Sequence, residues 1–330
     1  MFDCSKIRGF NYQPSRGTTS LENWVYYNPE LAELELRRGK EYFPGFNTVR
    51  YWLSWDAYYR DPKGFKAKFE QSLIIADRLG LKVIVCLLNR WHDDTGYDNG
   101  GVYLDNILFP SSWCYYRPQY QAYVDDISKT YSRDPRILTW DICNEPFSYH
   151  RPEDEKTMSL IVQLIAQELE WLTELYQVIK KNDNTTPVGV SLHPGLKRAG
   201  LERINAISDI LLIHPYFICN KDNFCDEKLR MDFEADVQIN VEYAKEVNKQ
   251  LLVTETCWGA YTDDVRVEII KYTLGTLSKY NIGFVAHALH YSRVADLHYE
   301  EDGYVGTPGN LAFINKDGTL RAGHDIFNQY

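Results

Sequence analysis

Eight short apolar runs punctuate the chain, at Ile7–Asn11, Thr48–Trp52, Lys82–Leu88, Ile137–Ile142, Val188–Ser191, Ile210–His214, Leu251–Glu255 and Gly283–His287. Each is bounded by polar loop residues, the pattern of a strand buried on both faces in a parallel sheet. Parallel neighbours need a crossover between them, usually a helix. Helical patterns do lie between the runs. Pro29–Tyr42 opens with a proline at its first position, and Phe65–Leu79 is stopped by Gly80. Glu153–Lys181 is long, with Leu160, Ile161, Leu164, Ile165, Leu169, Leu172, Leu175 and Ile179 along one stripe, and Asp263–Lys279 is another helix. Weaker helical patterns occur around Leu196–Ala206 and His324–Asn328. Eight strand–helix units predict an α/β fold: one closed (β/α)8 TIM barrel with long βα loops, a single catalytic domain spanning residues 1–330. No Gly-rich phosphate loop follows the first run, which argues against an open, nucleotide-binding sheet.

Charge narrows the partners. With 36 Lys and Arg against 46 Asp and Glu, the net charge is -10, the wrong sign for a nucleic-acid partner. No run approaches the roughly 18 apolar residues of a membrane span, so no membrane partner is expected. The first residues, MFDCSKIRGFNYQ, contain no apolar core of signal-peptide length. Seven cysteines, an odd number without metal-type spacing, suit a reducing compartment, and a cytoplasmic enzyme is the expectation. Cys219 and Cys225 match no common zinc pattern, while Cys86, Cys143 and Cys257 read as small buried residues near strands.

The chemistry concentrates where strands stop. In ILTWDICNEP, Ile137–Pro146, an apolar strand runs into Asn144-Glu145-Pro146; a second strand ends in Thr254-Glu255. Barrel enzymes draw their catalytic groups from the C-terminal ends of strands. Two carboxylic acids placed there are the parts needed to cut a glycosidic bond with retention. Other strand ends carry Arg50-Tyr51-Trp52, Asn89-Arg90-Trp91-His92 and His214-Pro215-Tyr216.

The string Trp140-Asp141-x-x-Asn144-Glu145-Pro146, together with Glu255 on the seventh strand, resembles the clan A glycoside hydrolases. It is most similar to glycoside hydrolase family 5, which holds many cellulases and mannanases. The resemblance covers nearly the whole chain. It implies that Glu145 is the general acid/base and Glu255 the nucleophile. Arg50 and Tyr216 would contact Glu255, His214 would support the acid/base side, and Asn144 would hydrogen-bond the sugar 2-hydroxyl. The two carboxyl groups of such a pair sit about 5–5.5 Å apart. The nucleophile must stay ionised and the acid must keep its proton, so their surroundings must differ.

Trp24, Trp52, Trp55, Trp91, Trp113 and Trp258 fall at or after predicted strand ends, with Tyr26, Tyr27, Tyr58, Tyr59, Tyr97, Tyr115, Tyr116 and Tyr261, and are expected to line the cleft. Flat side chains there stack on the apolar faces of sugar rings. Either Trp91 or His92 is the residue that faces the pocket. The stretches Leu88–Trp91 and Gly100–Tyr103 resemble a loop of family 5 mannanases. One departure concerns the eighth strand: family members usually carry a tryptophan where this chain aligns His287, with His290 and Tyr291 close behind. A histidine offers hydrogen bonds in place of a stacking floor, which bears on substrate and not on reaction class.

The expected function is a retaining β-glycoside hydrolase acting on short β-linked gluco- or manno-configured oligosaccharides or glycosides, with no metal or organic cofactor. Long loops after the first and third strands are expected to wall off one end of the cleft and favour exo action. Two other classes compete. A carbohydrate-binding pseudoenzyme on the same barrel is disfavoured because both glutamates, Arg50 and Tyr216 are present. A metal-dependent barrel hydrolase using His92, His214, His287 and His290 lacks a His-x-His pair at the first strand and a clear bridging lysine.

Overall fold

The computed structural model describes residues 3–17, 19–89, 116–148, 155–220, 222–224, 226–292 and 309–330. Its centre is a closed barrel of eight parallel strands in sequence order: β1 (Arg8–Asn11), β2 (Thr48–Trp52), β3 (Lys82–Asn89), β4 (Ile137–Asn144), β5 (Val188–Leu192), β6 (Leu211–Ile213), β7 (Leu251–Val253) and β8 (Gly283–Ala286). β8 pairs back onto β1 through Gly9 and Val285, which closes the ring. The predicted (β/α)8 barrel is the observed fold. The strand ends move by at most two residues: β4 runs on to Asn144, and β7 stops at Val253, ahead of Glu255.

Helices surround the barrel: α1 (Ser20–Val25), α2 (Pro29–Tyr42), α3 (Trp55–Arg60), α4 (Pro62–Arg78), α5 (Arg117–Thr130), α6 (Glu155–Asn182), α7 (Lys197–Ile204), α8 (Glu227–Glu246) and α9 (Asp263–Lys279). Local chemistry fixes their starts. Asn28 caps α2 by accepting the N–H of Leu31, with Pro29 in the first turn. α4 begins three residues before the predicted Phe65, because Asp61 caps it through the N–H of Gly64 and Pro62 suits the first turn. The stripe on α6 is buried only in its second half. Trp171, Leu172, Leu175 and Ile179 are fully covered, whereas Leu160 is half exposed. Among the described residues no helix is long and apolar enough to cross a membrane.

Strand alternation sorts the side chains into layers. On β2, Val49 and Tyr51 point outward into the helix-packed core, with Phe10, Val83, Val85 and Leu73, while Arg50 points into the barrel. The barrel floor is apolar, filled by Ile7, Ile84, Leu212, Leu252 and Val285. Covering each such side chain contributes about 1.5–3 kcal/mol. The segment Cys4–Lys6 plugs the bottom, where a Cβ on Gly283 would meet the Cys4 carbonyl oxygen at 1.8 Å. Glycine at that position is what admits the plug. The opposite end, at the strands' C-termini, is polar: Asn11, Arg50, Asp141, Asn144, Ser191, His214 and Thr254 are all buried there. Cys4, Cys86, Cys143, Cys219 and Cys257 are buried free thiols.

Candidate active site

Glu145 follows the last residue of β4 with a backbone φ of 48°, and Phe147 follows at 64°. Both lie in the left-handed region that side chains larger than glycine seldom adopt, a conformation held only where surroundings enforce it. Here the Glu145 N–H donates to the Ser191 carbonyl at 2.9 Å, and the Ser148 hydroxyl donates to the Glu145 carbonyl at 2.6 Å. The Phe147 N–H donates to the buried Glu168 carboxylate at 3.0 Å. The sharp turn leaves Glu145 buried at the barrel mouth, where its Oε1 lies 2.6 Å from Nδ1 of His214. The other ring nitrogen of His214, Nε2, is 3.1 Å from the Thr254 hydroxyl.

Glu255 lies two residues past β7 and keeps a little solvent exposure. The Tyr216 hydroxyl donates to its Oε1 in a very short contact, and Arg50 Nη1 donates to its Oε2 at 3.2 Å. Arg50 is the hub of the mouth. Nη2 reaches Asp141 Oδ2 at 2.8 Å, Asn144 Oδ1 at 2.7 Å and the Ser191 hydroxyl at 3.1 Å, while Nη1 also reaches Asn11 Oδ1 at 3.1 Å. Asn144 completes its contacts by donating to Asn89 Oδ1 at 2.8 Å. Trp52 lies under the guanidinium, 4.7 Å from ring centre to carbon.

A carboxylate oxygen of Glu145, one of Glu255 and a ring nitrogen of His214 all fall within 4.8 Å of one another. That spacing suits a pair in which one carboxyl attacks and the other donates a proton. The two acids titrate in opposite directions. Burial, and then the negative charge of Glu255, push Glu145 well above the ordinary carboxylic range. Burial would also raise Glu255, but His287, His214, Arg50 and the Tyr216 hydroxyl outweigh it and hold the acid at about 2. Burial drives His214 down to about 3, so at neutral pH it faces Glu145 as a neutral ring. Near neutrality the charge of Arg50 and the Tyr216 donor therefore carry the stabilisation of Glu255. The site thus holds one proton on the Glu145 side and one negative charge on Glu255. The same three groups are a poor metal cradle. His214 is engaged at both nitrogens, and the Arg50 cation already occupies one oxygen of Glu255.

The structure brings Glu145, Glu255, Arg50, Asn144, His214 and Tyr216 together, and puts Trp258 and His287 beside them. Trp258 packs its ring against Tyr216 at 5.0 Å. His287 directly follows β8, with its ring edge-on to Trp52 at 5.8 Å and within electrostatic reach of Glu255. Arg266 on α9 ties this wall together, donating to the carbonyls of Cys257, Trp258, His287 and Leu311. Trp91, His92, Tyr97, Trp113, Tyr115 and the Gly100–Tyr103 stretch lie outside the described residues. The four-histidine set is not assembled: His290 is buried against Arg38, at 3.3 Å, and Glu35, at 3.7 Å.

Two of the expected cleft aromatics are structural instead. Trp24 sits on α1 in the core and donates to the Trp52 carbonyl at 2.7 Å; Trp55 begins α3 and stacks on Tyr59. Their helices are too short to show a period in sequence, so these residues read as loop. Asp141, Asn11 and Ser191 hold Arg50 and were not singled out by sequence, although Asp141 stands inside the Trp140–Pro146 string. His193, at the end of β5 and in electrostatic reach of Glu255, was also missed; nothing but its strand-end position marks it.

The family model for cellulase, glycosyl hydrolase family 5, matches residues 40–292. A relative named "Probable mannan endo-1,4-beta-mannosidase C" from Aspergillus terreus is 31% identical over 84 residues, which is 24% of this chain and 20% of that protein. The match therefore spans only about a fifth of that relative's length. Among solved structures, the exo-beta-1,4-mannosidase Op5Man5 from Opitutaceae bacterium strain TAV5 superposes with a TM-score of 0.71 at 16% identity, covering 97% of this chain and 58% of that one. The endoglucanase Cel5A from Thermotoga maritima superposes with a TM-score of 0.63 at 15% identity, covering 98% and 96%. At such identities the superpositions speak for the barrel alone. The family model covers well over half of the chain, and the protein belongs to glycosyl hydrolase family 5 as a clan A glycoside hydrolase.

Proposed function

We propose that the protein is a retaining β-glycosidase that hydrolyses short β-linked gluco- or manno-configured oligosaccharides or glycosides, with Glu145 as acid/base and Glu255 as nucleophile. The observation that carries this reading is the close approach of two carboxyl groups whose surroundings drive their proton affinities apart. In the first step Glu145 gives its proton to the glycosidic oxygen. The bond from that oxygen to the anomeric carbon breaks as a Glu255 oxygen bonds to the carbon. In the second step the Glu145 carboxylate takes a proton from water, the hydroxide oxygen bonds to the anomeric carbon, and Glu255 leaves as a carboxylate. Arg50 and Tyr216 fix one oxygen each of Glu255, so attack requires little reorientation. His214, neutral and bonded to Glu145, supplies a partner for the proton in both steps. The names of the fungal relative and of the Opitutaceae enzyme both point to β-mannosyl bonds, and support testing mannosides first.

The test is hydrolysis of aryl β-glucoside, mannoside, galactoside, xyloside, cellobioside and mannobioside, with Glu255→Gln in parallel. Release from a gluco- or manno-configured member, lost in the variant, is the expected result. Turnover that survives Glu255→Gln would remove Glu255 as nucleophile. Silence across the panel and across longer oligosaccharides, with binding retained, would favour the pseudoenzyme.

A further inference from the structure

We propose that a second recess, beside the cleavage site at the ends of β1 and β8, binds an anionic group carried by the saccharide, a carboxylate or a phosphate. The placement relative to Glu255 rests on the functional reading above; the recess itself does not. It is an open cavity of about 530 Å³ between the loop after β1, the N-terminus of α2 and the segment following β8. That is ample for a sugar ring with a charged substituent. Arg16 and Lys316 both line it, and Glu22 is the one acid in its described lining. Neither cation meets a carboxylate among the described residues; Lys316 instead lies over the Tyr291 ring at 5.4 Å. Among the described residues the hollow thus presents two cations and one acid, the reverse of the balance in a chain of net charge -10. The positive end of α2, a helix of fourteen residues, also opens here through Asn28 and Leu31.

A second, independent observation comes from buried polar atoms. Asn23 is nine-tenths buried and lines the recess, yet its Nδ2 donor has no partner. Asn23 and Pro14 also form the wall of an inner cavity of about 20 Å³, room for about one water. Around that inner cavity Gln13 Oε1, Tyr27 OH, Tyr51 OH and Trp52 Nε1 are likewise buried without partners. Groups of this kind are normally satisfied by a ligand or by ordered water. Trp52, on the far wall, touches Arg50 and His287, the neighbours of Glu255. The inner cavity, which shares Pro14 and Asn23 with the recess and Trp52 with the cleavage site, lies between the two, and the unpartnered buried group of the recess itself, Asn23 Nδ2, is a donor.

The test compares neutral aryl β-mannobioside and cellobioside with the same compounds carrying a 6-phosphate or a uronic acid in the outer ring. The wild type is set against Arg16→Ala/Lys316→Ala, two exposed positions whose loss should leave the melting temperature unchanged. The acidic compounds are expected to show a KM about tenfold lower than the neutral ones, a preference abolished by the double variant and by high salt. Turnover of neutral compounds should not change. Which acidic arm responds separates carboxylate from phosphate. Equal KM for charged and neutral compounds, or a preference that persists in the double variant, overturns the proposal. If nothing is hydrolysed the functional reading fails, but calorimetric titration with glucose 6-phosphate, glucuronate and glucose still judges the recess. Tighter binding of an acidic sugar, lost in the double variant, supports it; equal binding overturns it.

Discussion

Arg50 and Asp141 form an ion pair with no solvent exposure on either side chain, Nη2 to Oδ2 at 2.8 Å. The pair holds the guanidinium at the point where its other nitrogen reaches Glu255. Buried charges of this kind are expensive to separate, because the survivor is left desolvated and only partly compensated. Asp141→Ala is expected to cost about 3–5 kcal/mol of stability, read by denaturant unfolding, along with most of the activity. A variant as stable as the wild type would mean that Arg50 is held by its other partners alone.

In the proposed mechanism the two acids set the pH dependence. The Glu255 carboxylate is available above about 2, so the acid limb of kcat/KM should lie well below the usual carboxylate range. As the proposed acid, Glu145 must stay protonated for the first step, and its raised affinity is expected to extend activity upward until that proton is lost. Glu145→Gln should remove the alkaline limb and depress turnover most for substrates with poor leaving groups. An unchanged alkaline limb in that variant would assign it to another group.

Tyr216 donates to the ionised form of Glu255, so removing the hydroxyl must raise the proton affinity of that carboxylate. In Tyr216→Phe the acid limb should move to higher pH and kcat should fall by about 10–100-fold, with Tm nearly unchanged. The shift of the limb separates this role from simple packing against Trp258.

Asp183, buried after α6, accepts the N–H groups of Arg133, Thr185 and Thr186 at 3.0, 3.0 and 3.1 Å, and the Trp140 indole at 3.3 Å. Burial alone would raise its proton affinity, but these donors hold it below the ordinary aspartate value of 3.8. A depressed folded-state value means the stabilisation is present above 3.8 and fades as pH falls toward the folded-state value. Asp183→Ala should cost about 2–4 kcal/mol near pH 7, and the gap to wild type should narrow in unfolding experiments at lower pH. A gap independent of pH would contradict the charge-based account.

The barrel was legible because its strands and longer helices repeat a strong local signal. Pro29–Tyr42 and Asp263–Lys279 were read to the residue, since a proline start and a long amphipathic period leave little freedom. Short elements carry no such period: α1 and α3 read as loop in sequence, and Trp24 and Trp55 with them. The start of α4 is set by the Asp61-Pro62 cap and not by apolar spacing, which begins only at Phe65.

The sequence by itself determined that two glutamates end two buried parallel strands, with an arginine and a tyrosine on others. Strand periodicity and the Trp140–Pro146 string are local properties of the chain. Only the tertiary structure decided which groups meet. Closing the ring places Asn11, Arg50, Asp141, Ser191 and His214, from five different strands or strand ends, in one polar layer. Within that layer one glutamate is packed against a neutral histidine and the other against a cation and a phenol. Proton affinity depends on burial and on charges a few ångströms away, and those distances are set by barrel closure, not by separation along the chain.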